Sequence, residues 1–291
     1  MLSGSIVALV TPMSETGDID FDALHRLVDW HLESQTDAIV VTGSTGEAAT
    51  LTPEERADIL SAVVKQVAGR IPVVAGTGTN NTAQTVELTR FARDLGADAA
   101  LVVVPYYNRP TQQGLKLHFK AVASIGLPIF LYNVPSRTAC DLLPETVVEL
   151  AEVKHIIGIK EASSLERCMT LLQTCPESFI VLSGEDGQAM ASVIAGAKGV
   201  ISVAANVVPE AMHTLMALAS GGSIMEANQI NTRLQPLYQA LFCEPNPIPV
   251  KWALKEMGMM EPHVRLPLTL LSEEKRVTIT RVLEETGVPC G

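Results

Sequence analysis

The sequence lacks a long hydrophobic run, and this absence excludes a typical membrane-spanning helix. Hydrophobic residues make up 47% of the chain, yet no uninterrupted apolar stretch approaches the roughly 20 residues that such a helix needs. Residues 1–7 contain no basic segment, so nothing there resembles a signal peptide. We therefore expect a cytoplasmic protein that has no membrane partner.

Basic residues are also scarce. The 21 lysines and arginines are outnumbered by 32 acidic residues, and the formal net charge is −11. No cluster of lysine or arginine interrupts this acidic background, whereas nucleic-acid-binding proteins usually carry a basic patch. We therefore expect no nucleic-acid partner.

The spacings typical of metal sites and structural disulfides are missing too. No C-x-x-C or H-E-x-x-H pattern occurs, and the six histidines are scattered. An odd number of cysteines favours reduced thiols in a reducing compartment. The cysteines are Cys140, Cys168, Cys175, Cys243 and Cys290. We expect neither a metal site nor a cofactor.

What the sequence does contain is a series of eight short apolar runs that read as buried strands. They are Ser5–Val10, Ala38–Thr42, Ile71–Ala75, Ala99–Val104, Pro128–Tyr132, His155–Lys160, Phe179–Ser183 and Gly199–Val203. Their starts are spaced by about one βα unit, and segments with helical periodicity separate them in the first half. Eight such units predict an α/β fold, the (β/α)8 TIM barrel.

An open doubly wound sheet is the alternative fold, because the glycine-rich segment 76–81 lies between a strand and a helix. That segment lacks the third glycine of a dinucleotide fingerprint, so a tight strand-to-helix turn explains it better.

Helix boundaries and a helical C-terminal region can also be read from the sequence. Thr52-Pro-Glu-Glu55 has the pattern of a capping box with proline at the first helical position, and Ser163 with Glu166 repeats the capping-box spacing. After the eighth run, the predicted helices are Pro209–Ser220, Glu226–Phe242, Val250–Met257 and Glu273–Thr286. We predict a catalytic barrel over residues 1–222 and a C-terminal helical region over residues 223–291.

Lys160 ends the sixth run, and three interpretations of it are open. It could be a salt-bridge partner, a solvated strand end, or an amine neutral enough to attack a carbonyl. Because a barrel gathers the carboxyl ends of all its strands on one face, the neighbouring strand ends distinguish these interpretations. A Gly43–Glu47 loop follows the second run, Tyr106 and Tyr107 follow the fourth, and the fifth ends at Tyr132 before Arg137.

Together these residues suit carbon–carbon bond chemistry on a 2-oxo acid. A lysine attacks a ketone only as the free amine, and burial or a nearby cation such as Arg137 would favour that form. A tyrosine linked to Ser44 or Thr45 could move the protons that Schiff-base chemistry requires. Arg137 offers a planar fork for a carboxylate.

The chain resembles the dihydrodipicolinate synthase family of the pyruvate-dependent class I aldolases over nearly its whole length. The segments that carry the resemblance are 9–12, 43–47, 105–110, 131–138, 158–162 and 246–251. The combination of Tyr132-Asn-Val-Pro-x-Arg137-Thr with the Tyr107 loop is the more specific part. The resemblance implies a lyase of diaminopimelate and lysine biosynthesis that condenses pyruvate with L-aspartate semialdehyde to form 4-hydroxy-tetrahydrodipicolinate.

It also implies roles for individual residues. Lys160 would form the Schiff base with pyruvate, and Tyr132 would relay protons, with Ser44 bridging it to Tyr107 from the neighbouring subunit of a homotetramer, a dimer of dimers. Thr45 would bind the pyruvate carboxylate and Arg137 that of the semialdehyde. The backbones of Gly184 and Ile201 would line the pyruvate pocket.

Two departures from the family pattern stand out. Ser44 replaces the usual threonine and so loses the methyl group that restricts its rotamers. Tyr106 and Asn80 match the lysine-inhibition pocket of sensitive members, which lies at the dimer interface near the active-site entrance, but Pro53 and Arg56 replace its two histidines. Gln84 replaces its glutamate and Ala48 its serine. Losing an acidic group and gaining Arg56 disfavours a cationic ligand, so we expect weak or absent inhibition by lysine.

Two other functions fit parts of this pattern. A sister aldolase could use the same lysine on a sugar acid, such as N-acetylneuraminate or a 2-keto-3-deoxy sugar acid. A catalytically silent barrel could bind a small acid or assemble with partners. Arg137 and the paired hydroxyls favour the dicarboxylate chemistry over the first, and the complete relay set argues against the second.

Overall fold

The computed structural model describes residues 2–291, which form a closed barrel of eight parallel strands with helices around it. The strands are β1 (Gly4–Ala8), β2 (Ala38–Val41), β3 (Val73–Gly76), β4 (Ala99–Val103), β5 (Ile129–Asn133), β6 (Ile156–Glu161), β7 (Ile180–Ser183) and β8 (Gly199–Ser202). The helices are α1 (Phe21–Glu33), α2 (Pro53–Val67), α3 (Thr82–Asp94), α4 (Gln112–Ala123), α5 (Pro135–Thr138), α6 (Pro144–Ala151), α7 (Leu165–Thr174), α8 (Asp186–Ile194), α9 (Pro209–Ser220), α10 (Ile224–Ala240), α11 (Ile248–Glu256) and α12 (Glu273–Thr286).

The predicted TIM barrel is confirmed, and the doubly wound alternative is excluded because β8 returns to pair with β1. Gly4 is in register with Gly199 at this seam. A side chain at Gly199 would collide with the backbone of Gly4, so the closure depends on a close approach of two backbones. All eight predicted strands exist, with ends that differ by at most two residues from the predicted ones.

Strands buried on both faces explain why the apolar runs are continuous rather than alternating. Successive residues belong to two different cores: Ile6 points into the barrel, whereas Val7 packs between the strands and the helices. Phe130 fills the barrel from β5, and Leu131 faces the helices. A residue's parity along its strand therefore decides whether it faces the barrel interior.

The pairing of β5 with β6 contains an irregularity that changes this parity. Ile129 is in register with Ile156, but the next residue, Phe130, is in register with Gly158. Ile157 is thus an extra residue, as in a β-bulge, which re-aims the side chains that follow it. Gly158 suits this position because an added Cβ would lie 2.6 Å from Cε1 of Phe130.

As a consequence of the shift, Lys160 lies opposite Tyr132 and points into the barrel. Ile159 faces the outer core beside Leu131. Strict alternation from Ile156, which also faces the outer core, would have turned Lys160 towards the helices. The irregularity in β6 therefore places the lysine on the inner face.

The predicted helix caps are confirmed in one case and displaced in the other. At α2 the Thr52 hydroxyl accepts from Glu55 N (3.2 Å), and the Glu55 carboxylate accepts from Thr52 N (2.9 Å). The prediction for Ser163 is wrong by one residue, because Ser164 caps α7 and accepts from Arg167 N (3.2 Å). β6 runs to Glu161, one residue further than predicted, and the helix starts correspondingly later.

The predicted C-terminal helices are present, with boundaries within two residues of the expected ones. α9 ends at Ser220, and α10 starts at Ile224 and packs against α8, α9 and α12. α11 also packs against α12. Within residues 2–291, no helix has both the length and the apolar character needed to cross a membrane.

His31 on α1 generates a prediction about acid stability. Its imidazole is wholly buried, its Nδ1 lies 2.9 Å from the Thr36 hydroxyl, and burial lowers its pKa to about 3. Below pH 6.5 the unfolded chain binds a proton that folded His31 does not, so the stability from this group falls as the pH falls from 6.5 towards 3. The expected slope approaches ~1.4 kcal/mol per pH unit.

Denaturant unfolding of wild type and His31→Asn between pH 4 and 6.5 should show that the variant loses this slope, whatever its stability at neutral pH. His25→Asn controls for removing an exposed histidine from the same helix. Equal slopes in wild type and His31→Asn would contradict the assignment.

Candidate active site

A cavity of about 330 Å³ opens at the face where the carboxyl ends of the strands meet. Its walls combine the loop after β2, the tyrosine loop after β4, the end of β5 and the segment before α11. Among the residues predicted from sequence, those that line it are Ser44, Ala48, Arg56, Tyr106, Tyr132 and Arg137. The site therefore lies where a TIM barrel usually places its active site.

Lys160 lies inside the barrel next to this cavity and is only 6% exposed. Its Nζ is 4.4 Å from the centre of the Tyr132 ring, which is itself buried. Gly184, after β7, packs against the lysine stem, because an added Cβ there would lie 2.9 Å from Lys160 Cε. Ile201 on β8 points into the same interior core as Tyr132. The structure thus brings Lys160, Tyr132, Gly184 and Ile201 together.

Two carboxyl groups lie within range of the lysine charge. Burial raises the pKa of both Glu185 and Asp186, while the charge of Lys160 acts in the opposite direction. The Asp186 carboxylate is fixed to the segment after β8, because its Oδ2 accepts hydrogen bonds from Val203 N (3.1 Å) and Ala204 N (2.9 Å). Among residues 2–291, no group of three or more His, Cys, Asp or Glu side chains could hold a metal ion.

The loop from Gly43 to Glu47 places its two hydroxyls differently. Ser44 is exposed to the cavity, and its hydroxyl has no hydrogen-bond partner among the described residues. Thr45 is 3% exposed and accepts a hydrogen bond from Asn246 Nδ2 (2.9 Å). The loop is closed by bonds from Glu47 N to Ser44 O and from Ala48 N to Gly43 O (both 3.1 Å).

Two further predicted residues are exposed, in different settings. Arg137 lies on the short helix α5 at the edge of the cavity. Tyr107 is 88% exposed, adopts a φ of 73° and does not line the cavity of its own chain. A non-glycine residue with positive φ is uncommon, and here it occurs at the exposed tyrosine of the loop after β4.

The six residues matched to a lysine pocket do not form one group in the chain. Arg56 donates to Ala48 O, and both residues line the cavity with Tyr106. Burial lowers the pKa of Arg56, and the interaction with Tyr106 opposes that shift. Pro53 lies with Arg56 on a smaller pocket. Asn80 and Gln84 lie outside both pockets, and Asn80 O accepts from Asn108 Nδ2 (2.8 Å).

A polar network on the outer face of the same strand ends was not predicted from sequence. Asn133 and Glu161 lie in register, one residue beyond Tyr132 and Lys160. Asn133 Nδ2 lies 3.1 Å from Glu161 Oε2 and 3.0 Å from Asp141 Oδ1, and Arg167 holds Asp141 with two hydrogen bonds (3.1 and 2.9 Å).

Burial raises the pKa of Glu161. Burial acts in the same direction on Asp141, but the hydrogen bonds from Arg167 and Asn133 together outweigh it and lower the pKa of Asp141. Strand parity alone could have indicated that Asn133 faces outwards with Ile129 and Leu131, whereas the outward direction of Glu161 depends on the register shift in β6.

Comparison with known proteins of similar fold and sequence places the chain in a family. The model of the dihydrodipicolinate synthetase family matches residues 1–286. The chain is 52% identical over 288 residues to the 4-hydroxy-tetrahydrodipicolinate synthase of Alkalilimnicola ehrlichii and 53% identical over 290 residues to that of Nitrosococcus oceani. Each match covers 99% of both chains.

The crystal structure of a chloride-inhibited dihydrodipicolinate synthase from Acinetobacter baumannii in complex with pyruvate superposes with a TM-score of 0.98 at 46% identity. The match covers 99% of this chain and 100% of that one. Because the sequence and the fold agree over essentially the whole length, the chain belongs to the dihydrodipicolinate synthetase family.

Proposed function

We propose that this chain condenses pyruvate with L-aspartate semialdehyde to form 4-hydroxy-tetrahydrodipicolinate, a step of diaminopimelate and lysine biosynthesis. The observation that carries the proposal is the amine of Lys160, enclosed in the barrel 4.4 Å from the Tyr132 ring. Full-length relatives that are about half identical bear the name of this lyase. The proposed reaction requires no cofactor, because the iminium ion formed on Lys160 is the electron sink.

Lys160 is the covalent carrier in this proposal. Its neutral amine adds to the ketone carbon of pyruvate, and loss of water gives an iminium ion. Loss of a methyl proton converts the iminium ion into an enamine, whose carbon attacks the aldehyde of the semialdehyde. The amino group of the bound product then displaces Lys160 as the ring closes, which restores the free lysine. One water is released overall.

Each of these steps moves a proton, and we assign its transfer to Tyr132, whose ring lies 4.4 Å from Lys160 Nζ. We assign the outer part of the relay to Ser44 and to Tyr107 of a neighbouring subunit. The support for Ser44 is that it lines the cavity and its hydroxyl has no hydrogen-bond partner among the described residues. The support for Tyr107 is that its side chain is exposed on the surface of its own chain. A serine at position 44 keeps the relay but allows more rotamers than a threonine would.

The two substrate carboxylates are assigned to different parts of the site. Thr45, in the loop after β2, binds that of pyruvate, and the backbones of Gly184 and Ile201 line the same pocket. Arg137 at the edge binds that of the semialdehyde through its planar fork. The support is that Thr45 is buried in the loop after β2, whereas Arg137 is exposed at the edge of the cavity.

We also propose a division of the chain into two regions and an oligomeric state. We assign residues 1–222 to the catalytic barrel and residues 223–291 to the C-terminal helical region, since α9 ends and α10 begins on either side of that point. A homotetramer, as a dimer of dimers, would bring Tyr107 to a neighbouring site. We place the protein in the cytoplasm.

Lys160 trapping tests the covalent step. Incubation with pyruvate and borohydride should attach one reduced pyruvyl group to the peptide that contains Lys160, as read by mass spectrometry. Lys160→Met should abolish this labelling and lower kcat by at least about 1,000-fold, as expected for loss of a nucleophile. Lys154→Ala, at an exposed lysine before β6, serves as the matched control and should label normally. Labelling elsewhere, or none in the wild type, would overturn the Schiff-base mechanism.

Mixed oligomers test whether Tyr107 acts across subunits. Tyr107→Phe should lower kcat at least tenfold, since positioned proton transfer contributes about 100-fold or more. An oligomer of Tyr107→Phe and Lys160→Met chains should be more active than either parent, because one site then combines Lys160 from one chain with Tyr107 from the other. Activity equal to the average of the two parents would place Tyr107 in its own chain's site.

Free lysine should not inhibit this enzyme appreciably. Arg56 brings a positive charge to the cavity. The glutamate of the family's lysine pocket is replaced here by the neutral Gln84, which does not line the cavity. Repulsion between like charges disfavours a bound ammonium group. Initial rates and titration calorimetry with millimolar lysine should both show no effect, and clear inhibition with measurable binding would contradict the assignment.

A further inference from the structure

The segment 246–251 carries part of the family resemblance but has no role in the proposed reaction. It belongs to the C-terminal region and leads into α11. Pro245, Asn246 and Pro247 nevertheless line the cavity on the barrel face. The C-terminal region therefore forms part of the site wall.

The contact between Asn246 and Thr45 has a chemical consequence. Asn246 Nδ2 donates to Thr45 Oγ1 over 2.9 Å, and the two residues are 6% and 3% exposed. A hydroxyl has one proton to donate and two lone pairs. With a lone pair occupied by Asn246, and no other partner for the hydroxyl among the described residues, the Thr45 proton is available to an acceptor in the site, such as a carboxylate oxygen.

A buried ion pair two residues from Thr45 ties the Gly43–Glu47 loop to the C-terminal region. Glu47, which adopts the left-handed conformation (φ 56°), pairs with Lys251, and its other carboxylate oxygen accepts from Arg265 N (3.1 Å). Lys251 is wholly buried and also donates to His263 O (2.6 Å). Burial lowers the pKa of Lys251, and the charge of Glu47 opposes that shift. Separating the two partners would leave an uncompensated buried charge, which is energetically costly. The pair therefore anchors the loop after β2 to the C-terminal region.

We propose that Asn246 is a positioning residue that orients the Thr45 hydroxyl as a donor to the pyruvate carboxylate, at a distance set by the Lys251–Glu47 pair. This inference rests on the proposed function, because it takes pyruvate as the ligand. Asn246 acts through Thr45 and is not itself assigned a contact with the reacting atoms.

Asn246→Leu tests the inference by removing the amide donor while keeping a side chain of similar size. The pyruvate concentration that half-saturates borohydride trapping should rise about tenfold, as expected when a buried hydrogen bond is lost. The maximal extent of trapping should be unchanged. Asn228→Leu, at an exposed asparagine on α10, is the matched control and should behave as wild type. Asn246→Ala replaces the leucine variant if that variant fails to fold.

A double-mutant cycle with Thr45→Val separates positioning from a general structural role. If Asn246 acts through the Thr45 hydroxyl, Asn246→Leu changes the half-saturating concentration only slightly in the Thr45→Val background. The same fold-change in both backgrounds, or none in either, overturns the inference. Absence of trapping in the wild type would overturn the proposed function and this inference with it. Normal wild-type trapping with an unaffected Asn246→Leu variant overturns the inference alone.

Discussion

The pairing of β6 with β5 is the constraint on which the site depends. One extra residue, Ile157, shifts the register after Ile156, so that Lys160 faces the barrel interior opposite Tyr132. Since side chains alternate along a strand, an uninterrupted register would place the lysine among the helices. Gly158 suits this position, because the backbone oxygen of Ile180 and the ring of Phe130 occupy the space that a side chain would need. The packing of the barrel core therefore determines which face of β6 carries Lys160.

The polar groups on the two faces of the β5 and β6 strand ends differ in whether they are hydrogen-bonded. On the outer face, Asn133 and Glu161 belong to a network with Asp141 and Arg167. On the inner face, Lys160 has no hydrogen-bond partner among the described residues, and its Nζ lies 4.4 Å from the centre of the Tyr132 ring. Buried polar groups without partners cost free energy. The satisfied network can hold the strand ends rigidly, while the inner groups remain available to a ligand.

The C-terminal region contributes to the same face from far away in the chain. Lys251 and Arg265 reach the carboxylate of Glu47 across about 200 residues of sequence, and Asn246 reaches Thr45. The loop after β2 is therefore shaped from both sides, by its own turn bonds and by groups on and after α11. This arrangement links the C-terminal region directly to the loop that contains Ser44 and Thr45.

The sequence by itself determined the eight strands, the helix caps at Thr52, the C-terminal helices and the gathering of Lys160, Tyr132, Ser44 and Arg137 at one end of a barrel. These features follow from local patterns, because apolar runs, capping residues and strand order are all written along the chain. The tertiary structure alone decided the parity of Lys160, the outward direction of Tyr107 and the contacts of Asn246 and Lys251 with the loop after β2. Each of these depends on distances between residues remote in sequence, and the packing of the whole barrel sets those distances.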